Sequence, residues 1–64
     1  MTKYNIRIYQ NDKMHPSVFE GVDRYLMEKG IWFIVKWDEK GRTAFVNVST
    51  AREINIEEVD AEHE

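Results

Sequence analysis

The chain has 64 residues, with nine Lys/Arg against twelve Asp/Glu and a net charge of −3. A domain this small buries roughly 60% of its unfolded surface and often leans on disulfides, a structural metal or self-association. It has no cysteine, so disulfides and thiolate zinc sites are excluded.

Met1-Thr2-Lys3-Tyr4-Asn5 lacks the apolar stretch of a signal peptide, and the longest apolar run is far too short to span a bilayer. The expectation is a cytoplasmic protein with no membrane partner. Lys3 to Tyr9 alternates Tyr4, Ile6 and Ile8 against Asn5 and Arg7, which predicts a first strand. Gln10-Asn11-Asp12-Lys13 is turn-rich, and Met14-His15-Pro16 prolongs the loop. Ser17-Val18-Phe19-Glu20 matches a capping box, after which Val18, Val22, Tyr25, Leu26 and Lys29 share one helical face. Gly21 argues for a later start at Asp23, because glycine costs about 1 kcal/mol inside a helix. The longer helix is preferred, ending at Gly30.

Ile31 to Asp38 and Thr43 to Val48 read as the next two strands, joined by Glu39-Lys40-Gly41-Arg42. Ser49 to Glu53 is a turn or one helical turn. Ile54-Asn55-Ile56 alternates as a short fourth strand would, with Val59 as a last anchor. The predicted fold is α+β, in the order β-α-β-β: a three- to four-stranded, mainly antiparallel sheet with one helix packed on one face. Residues 1–59 form one domain and 60–64 an acidic tail that frays. The expected core sets Val18, Val22, Tyr25 and Leu26 against Phe33, Val35, Trp37, Val46 and Val48, with Ile6 or Ile8.

Ile31-Trp32-Phe33-Ile34-Val35, closed by Lys36-Trp37, is apolar on both faces of its pleat. One face needs the protein's own core; the other calls for a different cover. Pairing Asp38 with Thr43 puts Trp37/Ala44, Val35/Val46 and Phe33/Val48 on a wholly apolar face. The opposite face then carries Lys36/Phe45, Ile34/Asn47 and Trp32/Ser49. Pairing Asp38 with Arg42 mixes both faces, so the first register is preferred. The candidate partner interface is therefore Trp32, Ile34 and Phe45, bordered by Lys36 and Asn47.

Catalytic chemistry is not expected. His15 lies in a loop, His63 lies in the tail, and Ser17, Thr43, Ser49 and Thr50 have simpler roles as caps and turn residues. Asp38/Glu39 and Glu57/Glu58 are adjacent and diverge on a strand. The acidic tail lacks the spacing of a calcium loop, and Gly21, Gly30 and Gly41 are isolated, so no metal or cofactor is expected. Charge is uneven: residues 1–42 carry eight Lys/Arg against six Asp/Glu, whereas 43–64 carry Arg52 against six acids. Lys3, Arg7, Lys36, Lys40 and Arg42 beside Tyr9, Trp32 and Phe45 suit single-stranded nucleic acid, and the acidic end suits a nucleic-acid mimic.

The layout of strand, helix, tight hairpin and closing Ile54-Asn55-Ile56-Glu57-Glu58 resembles small uncharacterised proteins of phages and prophages of Gram-positive bacteria. That resemblance implies a small accessory protein acting by binding. The leading reading is a non-enzymatic module acting on another protein as inhibitor or adaptor. Nucleic-acid binding or mimicry is the alternative, and a homodimer is a third reading.

Overall fold

A computed structural model of the chain describes residues 2–60, and the protein it shows is all-β. Six strands follow in order: β1 (Thr2–Gln10), β2 (Ser17–Val22), β3 (Arg24–Glu28), β4 (Trp32–Trp37), β5 (Arg42–Asn47) and β6 (Ala51–Asp60). They form two antiparallel three-stranded sheets, ordered β2-β1-β6 and β3-β4-β5. The second sheet is a meander. The first pairs the two strands furthest apart in sequence, with Ile6 opposite Ile56 and Ile8 opposite Ile54. The acidic tail is not described beyond Asp60, which is paired with Thr2; 61–64 lie outside the described residues.

The predicted helix does not exist, and the α+β assignment is corrected to all-β. Two local irregularities account for the misreading. Gly21, at φ +65°, forms a bulge where the register with β1 slips between Tyr4–Val22 and Ile6–Phe19. Its amide, displaced from the ladder, donates to Asn5 Oδ1 at 3.1 Å. Asp23 then carries the chain from the first sheet into the second, a corner at which one strand switches sheets. Each interruption adds a residue to the strand's period of two. Phe19, Val22 and Tyr25 on the inward side thus fall three apart, which imitates a helical stripe.

Asp23 fastens the corner. Its amide donates to the Lys36 carbonyl at 2.9 Å, and its Oδ2 accepts the Asp38 amide at 2.7 Å. Gly30 ends no helix: Lys29 (φ 54°) and Gly30 (φ 67°) form the tight turn between β3 and β4, closed by the Ile31 amide on the Glu28 carbonyl at 3.1 Å.

The inner faces make one core of Ile6, Ile8, Val22, Phe33, Val35 and Val48, flanked by Tyr4, Phe19, Trp37, Ala44, Val46, Ala51 and Ile54. Tyr25 sits at its rim, edge-on to Tyr4 (5.0 Å) and stacked on Phe33 (5.8 Å). Two expected core residues are corrected. Val18 and Leu26 point outward, because their places were assigned on a helix. Sheet two is thus covered by sheet one.

Candidate binding face

The outward side of the second sheet follows from strand alternation and register. Leu26, Ile34 and Phe45 lie opposite one another across β3, β4 and β5 and form a central row. Glu28, Trp32 and Asn47 make the row at one end, and Arg24, Lys36 and Thr43 the row at the other. The hairpin closes on Trp37–Arg42 around a turn of Asp38 to Gly41, so neither register weighed from sequence is correct. The observed pairing differs from the preferred one by two residues along the strand. A slip of two preserves the face of every side chain, whereas a slip of one reverses it. Trp32, Ile34, Phe45, Lys36 and Asn47 consequently share one face.

Burial within this face is graded. Ile34 is 6% exposed although it lies outside the main core, flanked by its cross-strand neighbours. Leu26 is 42%, Trp32 41% and Phe45 64% exposed. Leu26 is the member that sequence reasoning missed, since a helix would have pointed it inward. The signal that could have found it is the β-rich, aromatic run from Val18 to Leu26 flanking Gly21 and Asp23.

The polar border is partly occupied by structural duties. Arg24 donates to Asp38 Oδ1 at 2.7 Å across exposed side chains. Asn47 Oδ1 accepts the Ser49 amide at 2.9 Å, closing the turn that leads toward β6. Thr50, in the same turn, donates its hydroxyl to Gln10 Oε1 at 2.7 Å and lies 3.0 Å from Asp12 Oδ1. That hydroxyl satisfies the buried Gln10 and has a structural role.

The basic and aromatic residues that suggested a nucleic-acid strip are dispersed. Lys3 is paired with Asp23, Arg7 and Tyr9 lie on the outward side of the first sheet, and Lys40 is in the β4–β5 turn. Arg42 stacks 4.6 Å over Trp37, and Arg52 lies 5.6 Å over Tyr9. Of the cations in that strip, Lys36 alone shares the face of Trp32 and Phe45.

A concavity of about 460 Å³ lies at the corner between Lys3, Phe19, Trp37, Lys40 and Arg42. Trp37 Nε1 donates to the Glu20 carbonyl at 2.8 Å, and its ring lies 6.0 Å from Phe19. Hydrogen bonds from Lys3 and then from the Asp38 amide hold the Asp23 carboxyl below its ordinary range. The same bond to Asp23 raises Lys3. These contacts tie the two sheets together.

Among the described residues no cluster of three or more His, Cys, Asp or Glu is placed to hold a metal ion. Nor is any helix among them long and apolar enough to cross a membrane. His15 sits exposed in the β1–β2 loop, and His63 lies outside the described residues. In comparison with known proteins, the chain matches no family model, no curated protein and no solved structure.

Proposed function

We propose that this protein is a non-enzymatic, cytoplasmic binding module that acts on another protein as an inhibitor or adaptor. The surface assigned to that role is the outward face of the second sheet. The observation that supports it is the apolar row Leu26–Ile34–Phe45 with Trp32 beside it, in which Leu26, Phe45 and Trp32 are exposed around the buried Ile34, on a sheet whose other side holds the core residues Phe33 and Val35. An apolar centre with a polar border is the composition of protein interfaces, and tryptophan is among their commonest energetic anchors. The phage-like accessory role belongs to the same proposal. It has one support fewer, because the helix in the layout that suggested it is replaced by two strands.

Nucleic-acid binding is the weaker alternative, because its cations are divided between separate surfaces. The test is capture from nuclease-treated lysate with the parent chain and with Trp32→Ala and Phe45→Ala, each checked for an unchanged thermal midpoint. A protein retained by the parent and lost by both variants supports the proposal. Retention equal in all three rejects this face. Binding to single strands that weakens steeply with salt would favour the alternative.

A further inference from the structure

Each sheet ends in two edge strands, β2 and β6 in the first and β3 and β5 in the second. Three of these edges carry the features by which sheets discourage further pairing. Strand β6 has Arg52 bulged from the ladder and Glu53, Glu57 and Glu58 along its length. Strand β2 is bent by the Gly21 bulge beside Glu20. Strand β3 is short, begins and ends on Arg24 and Glu28, and has Tyr25 packed against Tyr4 of β1. Strand β5 carries a charge only at its first residue, Arg42, which pairs with Trp37 of β4, and its ladder is regular. Thr43-Ala44-Phe45-Val46-Asn47 holds no charge, no proline and no bulge, and Phe45 is well exposed.

The direction of its main-chain groups is readable. The Val48 amide donates to the Ile31 carbonyl at 2.7 Å, so it faces the β4 side. Amide direction alternates along a strand, so Val46 and Ala44 also face β4, and the N–H and C=O of Thr43, Phe45 and Asn47 face outward.

We propose that β5 is a self-association edge, at which two copies of this chain pair antiparallel, β5 to β5, about a two-fold axis through Phe45. The commitment to a second copy rests on self-complementarity. Directly opposed residues in an antiparallel pair share a face, so odd-numbered positions must meet odd-numbered ones and the axis must pass through a residue. Through Phe45, Thr43 lies opposite the second copy's Asn47 and Ala44 opposite its Val46. Each of the three outward residues then both donates and accepts a main-chain hydrogen bond. An axis through Ala44 would leave Asn47 beyond the paired segment. No like charges are opposed within the paired segment, and the pairing is closed, whereas β5 on β3 of another copy would propagate as a filament. The dimer joins the two Leu26–Ile34–Phe45 rows into one apolar stripe. This inference goes beyond the proposed function and is measured with no other protein present.

The test combines mass with amide exchange across a dilution series reaching millimolar chain. The expected result is a shift from one-chain to two-chain mass, with protection of the Thr43, Phe45 and Asn47 amides that appears only in the dimer. Thr43→Pro removes an outward donor that the fold does not use, which proline tolerates on an edge strand. It should abolish the dimer and leave the thermal midpoint of the dilute protein unchanged. If that variant unfolds, Phe45→Lys replaces it, since it sets like charges opposite each other at the axis. A one-chain mass at every concentration overturns the proposal. So do a dimer in which those amides exchange at the monomer rate, growth into filaments, and protection seen only after another protein is added.

Discussion

The two sheets share one core but differ in what they show to solvent. Along the first sheet's outward side, Asn5, Arg7 and Tyr9 of β1 face Glu57, Asn55 and Glu53 of β6, with Val18 opposite Arg7 and Val59 opposite Lys3 as separated aliphatic residues. The second sheet's outward side carries Leu26, Trp32, Ile34 and Phe45. Half-solvated antiparallel sheets ordinarily alternate apolar-in with polar-out. The first sheet obeys that rule, and β4 breaks it. The core is built from the inner faces, around Ile6, Ile8, Val22, Phe33, Val35 and Val48, and draws nothing from Leu26, Trp32 or Phe45. The exception is the feature on which the proposed contact rests.

Substitution on opposite sides of the pleat separates these roles. Ile8 is fully buried between the sheets, and Ile8→Ala should cost about 2–5 kcal/mol, enough to unfold much of so small a domain. Urea midpoints measure it. Phe45→Ala, with the same readout, should stay within about 0.5 kcal/mol of the parent, as exposed positions usually do. Comparable losses for both would erase the distinction between core and outward face.

The tryptophans sharpen the contrast within one strand. Trp37 is half-buried, bonded to the Glu20 carbonyl and packed with Phe19 and Arg42, so Trp37→Ala should cost about 2–3 kcal/mol. Trp32→Ala should cost less stability and more partner binding or self-association. Thermal midpoint and binding, measured on both variants, decide the assignment.

Two smaller effects lie away from either face. Lys29 has φ 54°, a conformation that costs a residue with a Cβ about 1 kcal/mol or more. Lys29→Asn creates the Asn-Gly dipeptide that such turns prefer and should raise stability by about 1 kcal/mol without changing binding. Chemical denaturation of the two proteins checks it. The last concerns pH. The folded Asp23 carboxyl titrates below its unfolded value of about 3.8, so its contribution is present above that pH and fades as pH falls through the folded value. Lys3 is raised, so its contribution is complete below the unfolded lysine range and fades as alkali passes the folded value. Asp23→Asn should flatten the acid limb of a thermal-midpoint profile between pH 2 and 5, by a modest amount fitting a pair near solvent.

What the sequence made legible was whatever strict alternation encodes. Tyr4, Ile6 and Ile8 announce β1, and the double-faced run from Trp32 to Trp37 announces β4 together with its surplus face. The five residues proposed as a contact share that face despite a misjudged hairpin register, because parity survives a slip of two. The segment from Ser17 to Gly30 was illegible for the converse reason. A bulge at Gly21 and a sheet change at Asp23 each shift the phase of the pattern. Local spacing then fits a helix better than a strand, and only the pairing of Phe19 and Val22 with β1 resolves it. Strand β6 is longer than the alternation of Ile54 to Ile56 predicts, because Glu57 and Glu58 look like tail until Asn5 and Tyr4 are seen opposite them.

The pairing of residues 2–10 with 51–60 also has a consequence in time. The meander of β3, β4 and β5 closes short loops, whereas uniting β1 with β6 closes a loop through nearly the whole described chain. Loop closure of that span is the costlier and slower event. The hairpins of the second sheet are then expected to belong to the folding nucleus, with β6 docking late. Ile54→Ala should chiefly quicken unfolding, whereas Val35→Ala should slow folding. The sheet with the unusual outer face is therefore the one expected to take shape first, with the polar sheet closing over its inner side afterwards.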